Sequence, residues 1–349
     1  MNARTTRRLA AVASLPLAAL LVAACGGDGT TSTPADGATT SGGAASEAAA
    51  PDAADTSAAP SDPASAPTGD AAGDFPVTVA SGQLPDTTDL VVEERPTSIV
   101  SISPTATEML FAVGAGEQVV AVDAFSYYPE EAPVTDLSGF EPNLEAILGY
   151  DPDLVVASGD PGDLVSGLDA AGVPTLLLPS ALDLEESYDQ VRRVGAATGH
   201  ADAAEDVVAE TQANIDAAVA DAGDAGEGLT YYHELDPSFF TASGDTFIGE
   251  VYGLFGLENI ADETGEAYPQ LSQEFVVEAD PDLVFVTSGD FSASPEEIAD
   301  RSGWGEVTAV ENGDVVVVDA DTASRWGPRT DEFARSVADA LVDAVPAGR

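Results

Sequence analysis

One unit is written twice in this chain, and it constrains the fold more than any other feature. Asn143-Leu144-Glu145 leads into Asp151-Pro152-Asp153-Leu154-Val155, and Ser272-Gln273-Glu274 leads into Asp280-Pro281-Asp282-Leu283-Val284. In each copy a helix-capping residue stands two places before a glutamate, and the glutamate stands six before Asp-Pro-Asp-Leu-Val. A second echo lies upstream of each copy: Glu108 is six before Gly114, as Glu250 is six before Gly256. A chain that writes a helix-turn-strand unit twice is expected to build two similar lobes with a cleft and matched surface carboxylates.

The elements between the copies alternate. Short Val- and Leu-rich runs at Ile99–Ile102, Val119–Val122, Leu154–Ala157 and Thr175–Leu178 read as buried parallel strands. Ser103-Pro104 is an N-cap and N1 pair that opens a helix through Phe111, and helices are expected near 143–149 and 163–170. The second half repeats the order, with strands at Leu229–Leu235, Leu283–Thr287 and Val315–Val318 and helices at 246–255, near Glu274, at 295–300 and at 330–345. Between the halves, Leu184 to Ala197 reads as a helix broken by Thr198-Gly199-His200. A longer one from Ala201 to Ala222 would reach about 33 Å at 1.5 Å per residue, enough to cross between lobes. The expected division is an N-terminal α/β lobe over 75–199, an inter-lobe helix over 200–224 and a C-terminal α/β lobe over 225–349.

The first 74 residues stand apart. Arg4, Arg7 and Arg8 precede an apolar run from Leu9 to Ala24, which reads as a secretory signal over 1–24. The run ends in Val22-Ala23-Ala24-Cys25-Gly26, and Cys25 is the only cysteine. This resembles a lipoprotein cleavage box and predicts a lipid-modified Cys25. After Cys25, residues 26–74 are Ala, Gly, Ser, Thr, Pro and Asp with one Glu and no large apolar residue, and 25–74 reads as a flexible tether with a reach of roughly 40 Å. The expected place is the outer face of the cytoplasmic membrane, held there by lipid.

Charge excludes whole classes of partner. The chain has 62 Asp and Glu, 11 basic residues that are all arginine, and a formal net charge of −51. Nucleic acid and anionic lipid surfaces are poor partners for it. Catalytic signatures are weak as well. Gly114-Ala115-Gly116 follows a helix rather than a strand, so it is no dinucleotide loop, and neither a Gly-x-Ser-x-Gly elbow nor a P-loop occurs. Two isolated histidines, His200 and His233, do not make a zinc box, and no metal site is expected. His233, in Tyr231-Tyr232-His233-Glu234, reads as a strand-edge residue open to the cleft, and a hydrolase using it with a cleft carboxylate is the alternative.

Two kinds of residue invite a binding role. Glu145 and Glu274 fall at N2 of their helices, where a carboxylate meets the helix dipole for about 0.3–1 kcal/mol. Equally, each lobe reads as offering one glutamate to an arginine of a partner. Loop aromatics form the second group: Phe125, Tyr127, Tyr128 and Phe140 in the first lobe, Phe239, Phe240 and Tyr268 in the second, and Trp326 near the end. Such rings with a few polar anchors suit a sizeable, partly flat ligand.

A run of motifs then carries a resemblance. Arg95-Pro96-Thr97 through Glu108, Tyr128-Pro129, Asn143-Leu144-Glu145, Pro152-Asp153-Leu154-Val155, Gly256 to Ile260, Tyr268 to Glu274 and Gly327-Pro328-Arg329 resemble, in order, the cobalamin and iron-siderophore solute-binding proteins of ABC importers. The resemblance implies a class III periplasmic-binding-protein fold, α/β, with two Rossmann-like lobes of parallel sheet joined by one long α-helix. It implies no enzyme and no resident cofactor. The implied cargo is a metal chelate, a cobalamin-type corrinoid or a ferric siderophore, with haem as the alternative and Tyr231 or Tyr232 as its expected iron ligands. Ligand contacts fall on Phe125, Tyr127, Phe140, Phe240, Tyr268, Asp321, Arg325 and Trp326. Glu145 and Glu274 become feet that dock on a permease dimer with its ATPase, the receptor itself acting as a monomer.

Overall fold

Ser103 and Pro104 start the first helix as their chemistry requires, with Ser103 Oγ accepting from the Ala106 N–H at 3.3 Å and Pro104 at N1. The computed structural model describes residues 75–289 and 292–344. The signal, Cys25 and the tether lie outside them. An antiparallel hairpin, β1 (Val77–Ser81) with β2 (Thr88–Val92), comes first. The first lobe follows as β3 (Ile99–Ser101), α1 (Pro104–Ala112), β4 (Val119–Val122), α2 (Leu144–Leu148), β5 (Leu154–Ala157), α3 (Leu164–Ala170) and β6 (Thr175–Leu177). Then come α4 (Leu184–Thr198) and α5 (Ala201–Ala222). The second lobe holds β7 (Thr230–Glu234), α6 (Phe247–Gly253), β8 (Glu258–Asn259), α7 (Gln273–Ala279), β9 (Leu283–Thr287), α8 (Pro295–Ala299), α9 (Thr308–Asn312) and β10 (Val315–Val318), closed by α10 (Ala320–Ser324) and α11 (Thr330–Ala344).

The repeat is a repeat of topology. One sheet runs β4-β3-β5-β6 and the other β8-β7-β9-β10, each in the order second, first, third, fourth, and every pairing within them is parallel. The duplicated Asp-Pro-Asp explains its own spelling. Its first aspartate takes a left-handed backbone, φ 49° at Asp151 and 50° at Asp280, which turns the chain out of the preceding helix. Its second aspartate pins the neighbouring strand. Asp153 accepts hydrogen bonds from the Thr97 N–H (2.8 Å), the Thr97 hydroxyl (3.0 Å) and the Ser98 N–H (3.0 Å), just ahead of β3. Asp282 does the same for Thr230 at the start of β7, through its N–H (2.9 Å) and hydroxyl (3.0 Å).

Strand alternation sorts the core into three apolar clusters. Val100, Val155 and Ala157 face α2 and α3 on one side of the first sheet, and Tyr232, Val284 and Val286 face Val276, Ile298 and Trp304 on one side of the second. The opposite faces of both sheets join a single cluster. Ile99, Leu154 and Val156 from the first lobe and Tyr231, Leu283 and Phe285 from the second belong to it, together with Val191, Val194, Val208, Ile215 and Phe333. The lobes thus share one apolar core through α4, α5 and α11. Gly195 lets α4 and α5 approach, since a Cβ there would run into that of Ala204, and Gly199 at φ 77° ends α4.

Candidate functional site

The candidate ligand residues share one end of the fold. Phe125, Tyr127 and Phe140 lie on the loop leaving β4, Phe240 on the loop leaving β7, Tyr268 on the loop leaving β8, and Asp321, Arg325 and Trp326 on the segment leaving β10. All of these are carboxyl ends of parallel strands, where open α/β sheets form their binding crevices.

A charged network joins the lobes there. Glu108, on α1 of the first lobe, is buried among apolar neighbours. Its carboxylate accepts from Arg329 Nε (2.9 Å) and Nη2 (2.7 Å) and from Arg325 Nη1 (2.6 Å), both arginines coming from the second lobe. The hydrogen bond to Glu108 raises the Arg329 pKa still further above its already high value. Arg325 also pairs with Asp321 at 2.8 Å, and its Nη2 donates to the Phe125 carbonyl at 3.3 Å. Tyr127 crosses from the first lobe and donates its hydroxyl to Asp321 Oδ2 at 2.6 Å, a bond that raises the tyrosine pKa above its ordinary value. Rings cover the two guanidinium groups, Tyr127 with its centroid 5.1 Å from Arg325 and Tyr128 at 4.0 Å from Arg329. Beneath Phe125, Asp123 accepts from the Phe125 N–H (2.7 Å) and the Ser126 hydroxyl (3.1 Å), and its burial lifts its pKa above the usual carboxylate range.

Exposed aromatic surface surrounds this network. Phe140 is 77% exposed and Tyr127 61%, and Phe125 meets Phe140 edge to face with centroids 5.8 Å apart. In the second lobe the Phe240–Gln270 bridge and the bond from Thr241 N to the Pro269 carbonyl (3.1 Å) hold the Phe240 and Tyr268 loops side by side. Phe239 adopts φ 67°, a left-handed conformation that a bulky residue holds only when its surroundings enforce it. The twist sends Phe239 onto Trp304 and Arg301, whose guanidinium lies 5.0 Å from its ring, and leaves Phe240 facing out. Trp326 is set differently from the other rings. It packs on the shared core and donates its indole N–H to Gln190 of α4 at 2.9 Å.

Glu145 and Glu274 stand at N2 of α2 and α7, both exposed, behind the caps Asn143 (accepting from the Ala146 N–H, 3.0 Å) and Ser272 (accepting from the Phe275 N–H, 3.1 Å). They occupy equivalent places in the two copies of the topology.

The sequence model of the family described as periplasmic binding protein matches residues 99–322, from β3 through the Asp321 segment. The chain belongs to the periplasmic binding protein family. Among curated relatives, an uncharacterized ABC transporter substrate-binding lipoprotein, YvrC of Bacillus subtilis, is 29% identical over 279 residues, covering 76% of this chain and 86% of the relative. A cobalamin-binding protein of Halobacterium salinarum is 32% identical over 296 residues, covering 81% and 79%. Among solved structures, the periplasmic vitamin B12-binding protein BtuF of Vibrio cholerae superposes with a TM-score of 0.60 at 26% identity, covering 71% of this chain and 97% of that one.

Within this periplasmic-binding-protein frame two sequence expectations are corrected. His233 does not face a cleft. β7 lies inside its sheet, between β8 and β9, and His233 is fully buried with Nδ1 2.8 Å from the Tyr252 hydroxyl. Burial holds the imidazole neutral, its pKa lowered to about 4, so it has no access to a substrate. Tyr231 and Tyr232 are no ligands for haem iron either. Both sit in the core, the Tyr231 hydroxyl accepting from Asn259 at 2.7 Å and that of Tyr232 donating to Glu234 at 3.3 Å.

Sequence reasoning also left Glu108 and Arg329 without a role. Glu108 stands alone in an otherwise uncharged helix, and two of the chain's few arginines, Arg325 and Arg329, lie four residues apart. A lone acid in an apolar helix requires a counterion when buried, and that was the available signal.

Proposed function

We propose that this protein is an extracytoplasmic substrate receptor that holds a metal chelate, a cobalamin-type corrinoid or a ferric siderophore, between its lobes and delivers it to an ABC import permease. One observation carries the reading: exposed aromatic side chains from both lobes gather at the carboxyl ends of two parallel sheets, around Asp321 and Tyr127. Faces of this kind stack on a broad, partly flat ligand. Membership of a family of binding proteins, and the substrate-binding and cobalamin-binding names of its relatives, support it. In this reading Phe125, Tyr127, Phe140, Phe240 and Tyr268 contact the ligand. Asp321 and Arg325 orient the Tyr127 side of the cleft, and Trp326 braces the segment that carries them. Cys25 bears the lipid that keeps the receptor at the outer face of the cytoplasmic membrane.

Docking falls to Glu145 and Glu274. Their equivalent places on the two lobes present one carboxylate each to a two-fold permease, where an arginine fork would meet it. The double variant Glu145→Ala/Glu274→Ala is expected to abolish uptake of radiolabelled cyanocobalamin or ferrioxamine by cells carrying the receptor and its permease. The affinity of the purified protein for the same probe stays unchanged. Uptake at the wild-type rate by the double variant would refute the docking assignment.

A further inference from the structure

The arginines of the described residues are all engaged, and this bears on what charge the cleft can accept. The chain has no lysine. Arg192 pairs with Glu205 (3.0 Å), Arg193 with Asp189 (2.5 Å) and Arg335 with Asp221 (2.8 Å), all on or beside the central helices. Arg301 is held by both oxygens of Glu234, at 2.5 and 2.7 Å. Arg95 lies toward the amino end of the first sheet, donating to the Thr198 carbonyl at 3.1 Å and standing 2.8 Å from His200 Nε2. Arg325 and Arg329 lie at the candidate cleft, and Arg301, under Phe239 on its second-lobe side, is already neutralised by Glu234. Glu108 and Asp321 balance these two guanidinium groups, and Glu332 at 3.9 Å from Arg329 and Asp123 near Arg325 add further acid, so no net positive charge is left there.

Backbone donors are engaged there too. The first N–H groups of α10, beside Asp321, would be the natural seat for an anion. Asp319 already accepts from the Asp321 and Thr322 N–H groups, at 3.1 and 3.0 Å. Around the rings the exposed charges are negative: Glu141 follows Phe140, Glu130 and Glu131 follow Tyr128-Pro129, and Glu266 precedes Tyr268 by two. An anionic chelate entering this cleft would lose water at its charged groups, gain no cation, and meet carboxylates.

We infer that the cleft is selective by charge, taking neutral or cationic chelates and rejecting anionic ones. The inference rests on the metal-chelate reading above and narrows its cargo to corrinoids and to chelates without net negative charge, such as ferric hydroxamates. Haem with ionised propionates, ferric citrate and ferric tris-catecholates are excluded by the same physics. The aromatic faces supply attraction that does not depend on charge, and the acidic field adds to it for a cation.

Isothermal titration of the purified full chain tests this with five probes: cyanocobalamin (neutral), diaquocobinamide and ferrioxamine B (cationic), and haemin and ferric citrate (anionic). At least one neutral or cationic probe is expected to bind at least about tenfold more tightly than either anionic one, a difference of about 1.4 kcal/mol. Binding of a cationic probe should weaken as salt rises from about 50 to about 500 mM, while that of a neutral one stays level. Glu141→Arg, which places an unpaired cation beside Phe140, should raise the affinity for haemin or ferric citrate by about fivefold or more and leave a neutral probe unaffected. An anionic chelate that binds the wild-type protein as tightly as the others would overturn the charge rule while leaving the metal-chelate reading in place. If all five fail to bind, the metal-chelate reading falls and the charge rule falls with it.

Discussion

His233 is a neutral imidazole sealed in the core of the second lobe, and its burial has a consequence in solution. Its pKa is about 4 in the folded protein against an ordinary 6.5. As pH falls, the unfolded chain therefore takes up this proton before the folded one does. The stability tied to the neutral ring is whole above 6.5 and is lost progressively between 6.5 and 4. Integrated from pH 7 to pH 5, the loss is about 2 kcal/mol at 1.36 kcal/mol per pKa unit. His233→Gln should respond to the same pH change by about 2 kcal/mol less than the wild type, measured as the difference in urea unfolding free energy. Identical pH responses in the two proteins would rule this out. The wild type must serve as reference, because so many carboxylates titrate in the same range. Sequence alone read His233 as a strand-edge residue, and its neighbours Tyr252 and Phe285 come from elsewhere in the chain.

The repeated Asp-Pro-Asp shows at the scale of the element why one tripeptide was worth writing twice. Each copy ends a helix with a left-handed aspartate and begins the sheet's third strand with an aspartate that clips the first strand beside it. Hydrogen bonds to a charged acceptor contribute about 1.5–3 kcal/mol, so Asp153→Ala and Asp282→Ala should each lower stability by about that much. Asp151→Gly should be neutral or stabilising by up to about 1 kcal/mol, since glycine takes the left-handed backbone without steric cost. Chemical denaturation of the three variants decides this, and a destabilised Asp151→Gly would contradict the backbone account. The helices and strands that carry the unit were legible because short continuous Val and Leu runs, a Ser-Pro start and a Gly stop are local signals. The short α9 and α10 were not, since they follow from tertiary bonds such as those from Thr308 to Asp280 at 2.7 and 3.1 Å.

At the scale of the molecule, the lobes are coupled by a buried core and by Glu108. Its carboxylate reaches across to Arg325 and Arg329, residues more than 200 positions away in the chain (217 and 221). In Glu108→Gln, Arg325 would keep only Asp321 and Arg329 only Glu332 at 3.9 Å, and breaking a buried pair costs about 3–5 kcal/mol. A loss of that size in urea unfolding is expected, with a weaker hold on Phe125 and Tyr127 through Arg325. Unfolding unchanged within about 1 kcal/mol would show that the network contributes little to stability. This coupling also limits lobe motion. A shared apolar cluster through α4, α5 and α11 resists wide opening more than a single flexible strand would.

What the sequence determined by itself was the doubled α/β plan, the order of its elements and the equivalence of Glu145 with Glu274, because these rest on local periodicity and on a repeat that can be read along the chain. The tertiary structure decided which polar residues are available to a ligand. It withdrew His233, Tyr231 and Tyr232 into the core, turned Phe240 outward by way of Phe239, and matched Arg325 and Arg329 to Glu108. Burial and charge pairing depend on contacts between residues far apart in the chain, and no local pattern encodes them. The doubled unit therefore foretold two lobes and one carboxylate on each, while the character of the cleft between them was set by side chains that meet only when the lobes do.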